Sequence, residues 1–233
     1  MLAIFKREFR SYFISPLGYV FAAIILFFEG LSFALTFSYS GTDLTAVFGT
    51  LPMVFAIMVP VLTMRMLSED RKLKVDQALL TAPIGVGSVV MGKFFAAFAV
   101  FAIPFIPTLL FQTIIATKVE TNWLLYFNCV LGALLLGAAL ISIGMFISSL
   151  TESSVISCIL TLAIFLVLTL VNSLAGLASS PWVTTAAGFV ALFDKYNSFM
   201  ESVFHIVDVV HLLSVTGVFC FLSVRAVEKR RWA

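Results

Sequence analysis

Three groups of residues in this chain have types and spacing that invite chemistry. Gly87-Ser88-Val89-Val90-Met91-Gly92-Lys93 follows GxxxxGK, the pattern in which backbone N–H groups and a lysine cradle nucleotide phosphates. The next position must be Ser or Thr to hold Mg²⁺, and it is Phe94; the loop also needs a buried strand before it and an α/β domain around it, and no such domain fits here. Lys93 and its glycines read instead as the interfacial anchor and shaped start of a membrane helix. His205, Asp208 and His211 are zinc-competent side chains. On a helix, however, six residues turn about 600°, so the three do not converge, and no further histidine completes the set. They read as a polar interfacial face. With two histidines in all, no nucleophile–histidine–acid set can be assembled. Glu29 stands in the middle of an apolar run, where a carboxylate is costly and must be protonated, paired or turned to a cavity. A contact on a translocation path and a protonated carboxyl bonded inside a helix bundle both fit it. Cys129, Cys158 and Cys220 each lie in apolar runs without metal-site spacing and read as small buried hydrophobes.

The scaffold that positions these residues is written in the composition. Of 233 residues, 61% are apolar and 11% charged, against about 45–50% and about 25% in soluble domains. This is an integral membrane protein, with no composition break that would divide residues 1–233 into two domains. A spanning helix needs about 20 mostly apolar residues. Six stretches qualify: 17–38, 44–66, 94–116, 124–149, 155–174 and 207–224. Pro52 and Pro60 in the second and Pro104 and Pro107 in the third permit kinks. Gly132, Gly137 and Gly144, with their alanine neighbours, permit close helix contact in the fourth. Gln112 and Asn172 read as interhelical hydrogen-bonding groups, and no internal repeat is visible.

Residues 1–16 form an amphipathic segment, with Leu2, Phe5, Phe9, Tyr12 and Phe13 on one face and Lys6, Arg7 and Arg10 on its flank. Ile4 falls off the apolar face. The segment reads as a helix lying in the membrane interface with its basic residues toward lipid headgroups; the basic start of a signal peptide is the other reading, disfavoured by the long apolar run after it. With the amino terminus inside, twelve of the fourteen Lys and Arg fall on the cytoplasmic side, leaving Lys118 and Lys195 outside. Both termini are then cytoplasmic. The longest charged interruption in the first half, from Arg65 to Lys93, is a cytoplasmic link, and residues 175–206 are an outer connection whose apolar run 183–193 is too short to span and reads as re-entrant or surface helix. The expected fold is an all-α membrane protein with six transmembrane helices, an interfacial helix and a short re-entrant outer segment between the fifth and sixth. The basic residues sit where topology requires them, so nucleic-acid binding has no support.

This pattern resembles the ABC-2 type permease family, the membrane subunits of ATP-binding-cassette exporters. The resemblance rests on the interfacial helix, the six spans and the link Glu69-Asp70-Arg71-Lys72, Asp76-Gln77-Ala78-Leu79-Leu80-Thr81-Ala82-Pro83 and Gly92-Lys93-Phe94. Lys74-Val75 stands where the family often shows Gly-Thr. Phe193-Asp194-Lys195-Tyr196-Asn197-Ser198-Phe199 and the basic close from Arg225 to Trp232 look like the gliding-motility-associated branch. The resemblance implies two permease subunits, identical or related, side by side in the cytoplasmic membrane, and two ATPase subunits beneath them holding the ATP and Mg²⁺. This chain would hold no cofactor and catalyse nothing itself; an auxiliary extracytoplasmic protein is a further partner the resemblance allows. Residues 67–93 would be the coupling segment, with Glu69, Asp70, Arg71 and Asp76 as polar contacts to the ATPase and Leu79 and Leu80 as apolar ones. Two rivals stand beside this. An ATPase-independent carrier would call for more intramembrane ionisable groups than Glu29 and for an inverted repeat; a non-transporting anchor of a surface complex would show no cargo-stimulated ATP hydrolysis.

The charge count yields a direct test. Green fluorescent protein fused after Ala233 is expected to fluoresce, and a phosphatase that folds only after export is expected to stay inactive at the same place. The opposite pair of results would invert the topology.

Overall fold

The computed structural model describes residues 1–38, 45–72, 85–117, 121–175, 192–201 and 205–231. These are helical, with no strand among them. In chain order the helices are α1 (Leu2–Ile14), α2 (Leu17–Ser38), α3 (Thr45–Thr63), α4 (Ser68–Lys72), α5 (Val86–Ala102), α6 (Thr108–Ala116), α7 (Trp123–Leu150), α8 (Ser154–Ala175), α9 (Leu192–Asn197) and α10 (Ile206–Arg231). Among the described residues, five stretches are long and apolar enough to cross a membrane: Leu17–Ser38, Thr45–Lys72, Val86–Ala116, Trp123–Leu150 and Ile206–Lys229. The protein is a multi-pass membrane protein. Over the expected fifth span, residues 155–174, α8 is helical, and its apolar part Ser154–Leu170 is shorter than these five.

The prolines act differently in the two helices that contain them. Pro52 and Pro60 lie inside α3, which continues past both. Pro104 and Pro107 divide one long span into α5 and α6, joined by a 3₁₀ turn at Ile103–Phe105. A proline lacks the N–H that an α-helix needs and crowds the preceding turn, so the tighter turn at the break follows from the sequence.

The third span starts earlier than hydropathy indicates. Helix α5 begins at Val86, not at residue 94, and Lys93 lies two turns inside it. Gly87 to Phe94 is therefore continuous helix, not a phosphate-binding loop. The first helix also differs from its expected face: Ile4 is buried, while Leu2 is 69% exposed. The reason is Gly92. A Cβ there would come within 3.1 Å of the Ile4 side chain, so the glycine leaves a seat on α5 that Ile4 fills. Protein contact, rather than the simple amphipathic face, sets how α1 is turned. The rings of Phe5, Phe9, Phe13 and Tyr19 follow one another at 5.8, 5.1 and 5.4 Å and carry α1 around the bend into α2.

Helix α7 is the axis of the bundle. Its most apolar window is 72% buried, against 17% for α2, which makes α7 core and α2 a peripheral helix that turns Tyr19, Val20, Phe27 and Leu35 outward. Close approach to α7 depends on its glycines. A Cβ on Gly137 would sit 2.1 Å from Phe101 of α5, one on Gly144 2.3 Å from Thr63 of α3, and one on Gly132 2.7 Å from Phe199. Without water to drive association inside a bilayer, helices hold together by such van der Waals contact and by interhelical hydrogen bonds.

Gly137→Ala is expected to lower stability by about 1–3 kcal/mol, the usual cost of forcing extra volume into a packed core. Gly30→Ala, where a Cβ would meet nothing within 4 Å, is the control. Thermal unfolding in detergent followed by size exclusion measures both, and equal melting of the two variants would contradict this account of α7.

Candidate functional site

At one end of the bundle the chain gathers most of its described charges. Helix α3 ends at Thr63, the chain turns, and the short helix α4 carries Ser68, Glu69, Asp70, Arg71 and Lys72 away from the last turn of the span. Ser148 on α7 secures that turn. Its hydroxyl oxygen accepts the backbone N–H of Leu67 and of Ser68, both at 3.1 Å, and its proton goes to the carbonyl of Met64 at 3.3 Å. Ser68 adds a bond to the Met64 carbonyl and reaches Ser154 Oγ at 3.2 Å. The start of the link is thus bound to both ends of the turn between α7 and α8.

Lys93 lies under α4. Its side chain is 2% exposed, and its Nζ sits 2.8 Å from Asp70 Oδ2 and 3.1 Å from Glu8 Oε2. Glu8 in turn accepts Arg7 at 2.6 Å. The charges therefore alternate along one line: Arg7, Glu8, Lys93, Asp70. Burying a lone ammonium is prohibitive, and two carboxylates with good geometry are what make this one tolerable. Lys93 is consequently not the headgroup anchor that its place in the sequence suggested. Arg71 makes a separate attachment, with Nη2 at 2.7 Å from Glu152 and Nη1 donating to the Leu150 carbonyl at 3.2 Å. Tyr12 completes the set by donating to the Leu62 carbonyl at 3.3 Å. Burial pushes the Tyr12 phenol above its ordinary range, with the charges of Glu8 and Glu69 adding to it.

Between α1 and the link lies a cleft of about 510 Å³, lined among others by Arg7, Glu8, Tyr12, Arg65, Glu69 and Lys93. Glu69 faces it loosely: its one ion pair among the described residues is to Arg65 at 3.5 Å, with both side chains more than two-fifths exposed. A pair so exposed contributes little. Of the six residues expected to meet an ATPase, Glu69, Asp70 and Arg71 are brought together here, while Asp76, Leu79 and Leu80 lie outside the described residues. Lys6, Arg7 and Arg10 are exposed on α1, but Arg7 also enters the charged line.

Glu29 lies apart from this cluster, midway along α2. It is fully buried, and neither carboxylate oxygen has a hydrogen-bond partner among the described residues. Burial raises the Tyr196 phenol well above its ordinary range. At that end of the bundle, α9 and the 3₁₀ turn Ser198–Met200 are seated between helices. Tyr196 donates to the Phe48 carbonyl of α3 at 2.8 Å, and Asn128 of α7 donates to the carbonyls of Phe199 and Glu201 at 3.0 and 3.3 Å. Asp208 pairs with Lys195 at 3.0 Å and accepts from Ser198 at 2.5 Å. Asp208 is thereby engaged by Lys195 of α9 and by Ser198 of the turn after it. Most of the expected re-entrant run, residues 183–191, lies outside the described residues.

Sequence reasoning missed Glu8, Glu152 and Ser148. Glu8 left a signal: it is the sole acid before Glu29, set among Lys6, Arg7 and Arg10. Ser148 left none, since a serine in an apolar helix looks the same whether it bonds its own turn or a neighbour. Ser148→Ala is expected to destabilise the protein by about 1–3 kcal/mol, because two buried N–H groups lose their acceptor. Ser142→Ala, whose hydroxyl bonds the Ala139 carbonyl of its own helix and no other group among the described residues, is expected to be nearly silent. Melting of the two purified variants side by side decides it.

A family model described as ABC-2 family transporter protein matches residues 43–222. No match is found among curated proteins. The matched stretch runs from the approach to α3 through most of α10 and so contains the whole charged link together with α5, α7 and α8, but not α1. The chain belongs to the ABC-2 family of transporter proteins, membrane components of ATP-driven transporters that have no nucleotide-binding domain of their own.

Proposed function

We propose that this chain is the permease subunit of an exporter in the cytoplasmic membrane, with six spans and both termini inside, driven by a separate ATPase that holds the ATP and Mg²⁺. A second permease subunit, a copy or a relative, would complete the path. The observation that carries this reading is the way the link between the second and third spans is held. Asp70 on its outgoing side and Lys93 on its return meet at 2.8 Å, so the two described ends of the link are tied to each other. A link tied in this way passes on a push applied from below; one with free ends would absorb it.

This tie also divides the work among the coupling residues. Asp70 and Arg71 have buried or backbone partners within the chain, and we assign them the bracing of the segment. Glu69, weakly paired, and Asp76, Leu79 and Leu80 are assigned the contact with the ATPase. Glu29 is assigned to the translocation path, and residues 175–206 to a re-entrant cap over its outer mouth. The likeness of Phe193 to Phe199 and of the basic close makes the gliding-motility-associated branch the one we favour.

Purification from native membranes is expected to bring down a nucleotide-hydrolysing companion. Glu69→Lys combined with Leu79→Asp and Leu80→Asp is expected to lose it at least tenfold while the variant still inserts. A wild-type protein that arrives with no such companion sinks the proposal.

A further inference from the structure

Lys93 has a geometry that span anchoring does not require. An anchoring lysine keeps its ammonium in the headgroup region. Lys93 instead turns inward, loses nearly all exposure, and reaches two acids on two different elements: Glu8 of α1 and Asp70 of α4. Its neighbour Gly92 makes the seat for Ile4, so α1 is held to α5 at one place both by charge and by shape. The Tyr12 bond to the Leu62 carbonyl ties the same helix to the end of α3. The interfacial helix is therefore attached to the helices on both sides of the link.

Resting on the permease reading above, we infer that Lys93 is a positioning residue for coupling: it joins the link, the third span and the interfacial helix into one body, so that a displacement of the link by ATP binding moves α1 with it. The Arg7–Glu8–Lys93–Asp70 line, with distances of 2.6, 3.1 and 2.8 Å, is the connection. Removing the ammonium would leave two carboxylates facing each other across a buried gap, and like charges so placed repel. The link and α1 would then part. An arginine keeps the charge and reaches both acids, so Lys93→Arg keeps the connection.

The test uses the full permease–ATPase complex, with the three cysteines replaced by alanine and spin labels on cysteines placed at exposed Arg10 of α1 and exposed Lys229 of α10. Distance distributions are compared without nucleotide and with a non-hydrolysable ATP analogue. The unmutated complex and Lys93→Arg are expected to show a nucleotide-driven shift between the labels, and Lys93→Met to lose it while retaining the ATPase at wild-type amounts. If Lys93→Met does not accumulate, Glu8→Gln, which weakens only the arm to α1, replaces it, with the same loss expected. A shift that persists in Lys93→Met or Glu8→Gln, or that is missing from the unmutated complex, overturns the inference. Absence of any ATPase from the unmutated preparation is a different result and sinks the permease reading instead.

Discussion

A buried ammonium is the constraint around which the charged end of this protein is arranged. Lys93 lies in a helix whose surroundings are apolar, and an ion in such a place must be neutralised at close range. Two carboxylates do so, and each comes from a different part of the chain. The consequence is topological as much as energetic: α5 cannot keep its lysine where it is unless α4 and α1 are both present beside it. Breaking a buried pair by deleting one partner typically costs about 3–5 kcal/mol, a large share of the stability of any domain. The arrangement of three elements thus follows from one residue.

The rest of the bundle is built for rigidity. Gly132, Gly137 and Gly144 let α7 accept Phe199, Phe101 and Thr63 at distances no other residue type allows. Around Phe101 the rings of Phe55, Phe105 and Phe21 follow at 5.0 to 6.1 Å. A core so closely packed transmits displacement and does not soften it. The bends allowed by Pro104 and Pro107 then lie where one span is already divided, on the far side of α5 from Lys93.

Much of this was legible in the sequence, and what was not has specific causes. Hydropathy finds the membrane helices because bilayer thickness sets their length, and the charged link is evident because nothing else in the first half is so polar. The start of α5 was misplaced because a lysine in an apolar run looks like a boundary. It is a boundary only when no acid is nearby, and the nearby acids are 23 and 85 residues away in sequence. Ile4 looked misplaced for a related reason, since its partner is the missing side chain of Gly92. Asp208 looked like part of a histidine pattern because spacing along α10 was visible, whereas Lys195, held against it by the chain's return, was not. Local period is readable from one strand of text; the partner of a buried charge is not.

The two ends of the bundle are held by different forces, and α3 and α7 reach both. At the charged end, the Ser148 hydroxyl fixes the turn that follows α3 to the last turn of α7, and Arg71 of α4 donates to the Leu150 carbonyl at the end of that helix. At the other end, Tyr196 grips a carbonyl of α3, while Asn128 and the Gly132 slot hold Phe199 against α7. Hydrogen bonds are directional and short-ranged, and a ring lodged against a glycine is either in its slot or out of it. Any tilt of α3 against α7 is therefore felt at both ends: it strains the Ser148 contacts at one and separates the two grips on the α9 region at the other. Sliding by a few tenths of an ångström is opposed by the glycine contacts between them, so the pair favours discrete arrangements over continuous drift. A helix pair of that kind can link a movement of the charged loop to a change around Tyr196 without any residue spanning the distance by itself.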